Sequence, residues 1–101
     1  MLNLTHGGPA WGVYLAVATE YDAPALLDAS AQVEALGQGY RTGSGTLACD
    51  QGAPEALGYE PDTDLFTVSL YFADGAAAQR FVDLYEPPVV GIADVRTYCM
   101  D

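Results

Sequence analysis

The chain carries one local pattern twice, and that repetition constrains its fold more than any other feature. Val13-Tyr14-Leu15-Ala16-Val17 leads through Asp22 and Pro24 into a stretch with Leu26, Ala29, Val33 and Leu36 at helical spacing. Val68-Ser69-Leu70-Tyr71-Phe72 leads through Asp74 into a stretch with Ala78, Phe81, Val82 and Tyr85 at the same spacing. Period-two alternation marks a strand, and apolar residues three and four apart mark a helix. Asp22 and Asp74 stand where a helix N-cap belongs, Gly37 where the first helix stops, and Pro87-Pro88 where the second can no longer continue.

Each helix is followed by another strand. Tyr40 to Cys49 reads as the second, with Gly43-Ser44-Gly45 marking a bend or an edge. Leu65 to Phe72 is the third and Ile92 to Cys99 the fourth. Pro54-Glu55-Ala56-Leu57 forms one helical turn in the connection between the second and third strands, stopped at Gly58. A repeated strand–helix–strand unit predicts an α+β, ferredoxin-like βαββαβ sandwich. Its antiparallel sheet has the order 4-1-3-2, with two helices on one face and the other face open. The length of 101 residues makes this one domain, 1–101, with a flexible tail over 1–10 and an acidic connection over 50–64.

Charge narrows the function classes. Fourteen Asp and Glu stand against three Arg and no Lys, for a net charge of −11. Half of the residues are apolar, so the acidity does not imply disorder. A phosphate backbone needs a basic face, and so does an anionic membrane surface; direct nucleic-acid binding and membrane binding are therefore not expected. No apolar run reaches the roughly 20 residues of a membrane span. With Met1 as the native start, the expected location is the cytoplasm.

Acid is densest in the connection. Asp50, Glu55, Glu60, Asp62 and Asp64 fall there with no basic residue among them. They are the candidate contacts to a partner protein with a basic surface, since charge complementarity steers association. Asp62-Thr63-Asp64 lacks the glycine and distal glutamate of a calcium loop, so no metal site is expected. Gly43-Ser44-Gly45-Thr46-Leu47-Ala48 resembles a dinucleotide string but opens no helix. His6, the single histidine, lies in the tail. No catalytic residue and no cofactor are expected.

Two further sets of residues follow from the fold. Tyr14, Tyr71, Arg96 and Tyr98, with Ser69, would line the open sheet face, as a ligand surface or a homodimer contact. Cys49 and Cys99 end the two edge strands. Residues within those strands lie about 14 Å apart, beyond the roughly 7 Å between Cα atoms that a disulfide allows. Both cysteines leave at the same end of the sheet, so the connection can fold across to join them. A bridge and two free thiols both fit the sequence.

The repeated pattern, with Val68-Ser69-Leu70-Tyr71-Phe72-Ala73-Asp74 before an Ala-rich helix, resembles SPOR domains over residues 12–99. That resemblance implies glycan binding on the open sheet face. In size and acidity the chain also resembles small phage inhibitors, anti-CRISPR and DNA-mimic proteins among them. The leading expectation is a non-enzymatic inhibitor or regulator that engages a basic partner; the alternative is a SPOR-like small-ligand or glycan module.

Overall fold

The computed structural model describes residues 7–98 as one α+β domain. His6 and Cys99 lie outside the described residues. The long first strand, β1, spans Gly8–Ala18, and α1 spans Pro24–Ala35. β2 is short, Gly43–Thr46. A 3-10 turn, Leu47–Cys49, leads to β3, Asp50–Gln51, and to a single helical turn, α2, Ala53–Ala56. β4 (Phe66–Phe72), α3 (Gly75–Leu84) and β5 (Gly91–Thr97) complete the chain.

All pairings are antiparallel, and the sheet has five strands in the order β2-β4-β1-β5-β3. The four-stranded ferredoxin-like order 4-1-3-2 is thus corrected. The expected strand over 40–49 is not one strand. Its β2 part pairs with β4, whereas Asp50–Gln51 pairs with β5 at the opposite edge. Gly43-Ser44-Gly45 offers almost no side chain to hold a longer edge strand. Leu47 then turns inward and is fully buried. Its N–H donates to the Leu65 carbonyl (2.8 Å), while the Cys49 carbonyl accepts from Tyr98 N–H (2.9 Å). The turn therefore joins the two flanks of a curled sheet.

The sheet consequently has two covered faces. Both helices pack on one of them: Leu26, Ala29 and Val33 of α1 and Ala78 and Phe81 of α3 meet Val13, Leu15, Val68, Leu70 and Phe72. The strap formed by residues 47–57 covers the other, where Leu47 and Ala53 meet Tyr14, Ala93 and Val95, with Leu57 alongside. The expected open face is occupied by the strap.

Three local expectations also change. β1 begins at Gly8, so Gly8–Ala10 pair with Val95–Thr97 instead of forming a tail. The pairing of β1 with β4 slips between Tyr14 and Ala16. This bulge moves Ala16 and Ala18 to the helix side and Val17 to the strap side, reversing the simple alternation beyond Leu15. Asp22 is not the cap of α1. Pro24 takes the first turn and holds the preceding Ala23 in an extended conformation (ψ 140°), so Ala23 occupies the cap position without a side-chain bond. Asp74 does cap α3, accepting from Ala77 N–H at 2.7 Å. Gly37, at φ +64°, stands just past α1 in the left-handed region.

Candidate functional site

The alternation of β4 sets Thr67, Ser69 and Tyr71 on the strap side, opposite the apolar Phe66, Val68, Leu70 and Phe72. β5 adds Thr97 to that side, because it pairs directly with Asp50 of β3 and directly opposed residues share a face. β1 adds Tyr14. A strap rich in apolar residues thus encloses a set of hydroxyls, and Asp50 is the carboxylate that meets them.

Asp50 is 3 % exposed. The Tyr14 hydroxyl donates to Asp50 Oδ2 at 2.7 Å, and the Tyr71 hydroxyl donates to the same oxygen. Ser69 Oγ donates in turn to the Tyr71 hydroxyl at 3.1 Å. Burial pushes both phenols well above the ordinary tyrosine range, and the negative charge of Asp50 adds to it. Both therefore stay protonated and keep donating. Hydrogen bonds to a buried carboxylate are stronger than neutral ones, and losing a partner leaves a costly buried charge.

Tyr14 reaches Asp50 because its ring lies over Gly12. A Cβ at Gly12 would stand 2.6–2.7 Å from the ring and hydroxyl of Tyr14, so glycine is the residue this close approach requires. The bulge just beyond Tyr14 is held by side and main chain alike. Thr67 Oγ1 donates to the Ala16 carbonyl at 2.8 Å, and Val90 N–H donates to the Tyr14 carbonyl at 2.7 Å.

Two cavities adjoin this network. A small one of about 60 Å³ lies between β2 and the Cys49–Asp50 segment, over Thr67, Ser69 and Tyr71 and beside Thr97. Gly43 and Gly45 oppose Ser69 and Thr67 and face it without side chains. A cleft of about 450 Å³ lies on the other side of the strap, bordered by Asp50, Gln51, Glu55, Pro61 and Tyr98.

The sequence-predicted residues divide. Asp50 belongs to the interior and leaves the expected partner surface. Glu55, Glu60, Asp62 and Asp64 are exposed. Tyr14 is fully buried and Tyr71 half-buried, both under the strap. Arg96 and Tyr98 project from the other side of β5. Tyr98 is 43 % exposed and its hydroxyl donates to Gln51 Oε1 at 3.4 Å; Arg96 Nη1 donates to the Gly7 carbonyl at 3.0 Å. The four residues expected on one open face thus stand on two. Cys49 is disulfide-bonded; its expected partner, Cys99, lies outside the described residues. Among the described residues no group of three or more His, Cys, Asp or Glu could hold a metal ion, and no helix is long and apolar enough to cross a membrane. The Tyr14–Asp50–Tyr71 triplet was missed in the sequence, although the out-of-phase tyrosines on two adjacent strands were its visible half.

No family model, no curated protein and no solved structure matches this chain.

Proposed function

We propose that this chain is a non-enzymatic binding protein, an inhibitor or regulator, that engages a basic surface of a partner protein through Glu55, Glu60, Asp62 and Asp64. The supporting observation is the placement of these four carboxylates. All are exposed on one connection that holds no basic residue, in a chain of net charge −11. The connection is also internally braced: Tyr59 N–H donates to the Pro54 carbonyl at 2.7 Å and Thr63 N–H to the Glu60 carbonyl at 3.2 Å. A braced loop loses less conformational entropy on binding than a loose one. Asp50, at the start of the same connection, does not take part in the surface; it anchors the strap from beneath.

The test is affinity capture from native-host extract with the wild type and with a variant carrying Glu55→Gln, Glu60→Gln, Asp62→Asn and Asp64→Asn. The expected partner is basic, is retained at about 50 mM salt and released near about 500 mM, where screening confines Coulomb attraction to a few ångströms. The neutralised variant should not retain it. Capture that is insensitive to salt and equal for both proteins would overturn the reading.

A further inference from the structure

The small cavity beside Asp50 has a chemistry of its own. Its lining supplies a carboxylate and the hydroxyls of Thr67, Ser69, Tyr71 and Thr97, and includes no basic residue. Gly43 and Gly45 turn toward it, and a Cβ built on Gly45 would meet nothing within 4 Å. Both glycines are exposed, so the cavity is reached past the edge of β2. Asp50 offers about four acceptor positions, of which the two phenols use two. The volume of about 60 Å³ holds roughly four waters at 10–15 Å³ each. That is room for the ammonium head of an alkyl chain.

We propose that this cavity receives one lysine side chain of the basic partner, with its ammonium group on Asp50 and the surrounding hydroxyl oxygens. The proposal rests on the basic-partner reading above and adds to it: the exposed acids attract the partner, and the cavity discriminates lysine from arginine. An ammonium has three donors on a compact head, whereas a guanidinium presents a wide planar fork. The enclosed carboxylate gives the ammonium a charge-assisted bond that the screened surface acids cannot match.

The probe is n-butylammonium chloride, titrated into the isotope-labelled full chain at constant ionic strength, with methylguanidinium chloride and sodium chloride as comparisons. Amide shifts of Gly43, Gly45, Asp50 and Thr97 are followed by NMR. Saturable shifts confined to these residues are expected with butylammonium, at least tenfold weaker with methylguanidinium and absent with sodium. Gly45→Leu fills the cavity from the strand edge and should abolish the butylammonium response while its amide spectrum remains that of a folded chain. Non-saturating shifts equal to those of sodium chloride, or a Gly45→Leu variant that binds butylammonium like the wild type, would overturn the proposal. Because the probe needs no partner, either failure leaves the capture experiment on the exposed acids standing. Conversely, failed capture with intact butylammonium binding would remove only the partner reading.

Discussion

The same strands bury two faces by different means. Toward the helices the contacts are apolar and aromatic: Phe81 lies 5.7 Å from Phe72, 5.4 Å from Tyr85 and 4.9 Å from Tyr40, ring centre to ring centre. Such contacts are individually weak and largely non-directional, so one side chain of similar volume can replace another. Toward the strap the same alternation presents Tyr14 and Tyr71 to one carboxylate, with Ser69 donating to the Tyr71 hydroxyl. Each bond there has a specific donor and acceptor, and removing the central group leaves its partners unsatisfied. The helix side should thus tolerate changes of chemical detail, whereas the strap side should depend on them.

The largest effect is expected for Asp50→Ala. It deprives two phenols of their acceptor and should cost about 3–5 kcal/mol in denaturant unfolding. A cost below about 1 kcal/mol would erase the distinction between the faces. Tyr14→Phe, which removes one charge-assisted bond, should cost about 1.5–3 kcal/mol. On the helix side Leu26→Met, a larger change in shape, should cost less than about 1.5 kcal/mol.

Alkaline titration sharpens the same contrast. Under the strap, Tyr14 and Tyr71 have phenols raised by burial and by the charge of Asp50, whereas Tyr85 on the helix side is raised by burial alone. Their native forms hold protons that the unfolded chain releases near pH 10. The stability they contribute is therefore complete below about pH 10 and declines as the pH rises beyond it. Absorbance near 295 nm should show Tyr14 and Tyr71 ionising only together with loss of the native circular dichroism; ionisation of all seven tyrosines in the intact fold would contradict the buried network. The smallest effect is expected for Asp62→Asn with Asp64→Asn, which should change stability by no more than about 0.5 kcal/mol.

Local periodicity made the helices and three of the strands readable, because Leu26, Ala29 and Val33 or Val68, Leu70 and Phe72 report burial at fixed spacing. The curl of the sheet was not readable in this way. It depends on a three-residue 3-10 turn, Leu47–Cys49, and on a two-residue strand, both shorter than any period can show. The bulge after Tyr14 was equally invisible, since it shifts phase without changing composition. Asp50 looked like its four acidic neighbours because a sequence gives its charge and not its partners. What could have separated it was its position directly after Cys49, at the end of an apolar stretch, together with two tyrosines out of phase with the apolar stripes of their own strands.

Asp50 lies inside the fold, bonded to two phenols, whereas Glu55, Glu60, Asp62 and Asp64 stand exposed on its surface. The most direct measurement is a double-mutant cycle of Tyr14→Phe and Asp50→Asn by urea denaturation. A coupling energy above about 1 kcal/mol is predicted, as for two groups that share a buried hydrogen bond. Additivity within about 0.5 kcal/mol would mean that the two side chains act independently, and would contradict the polar interior under the strap.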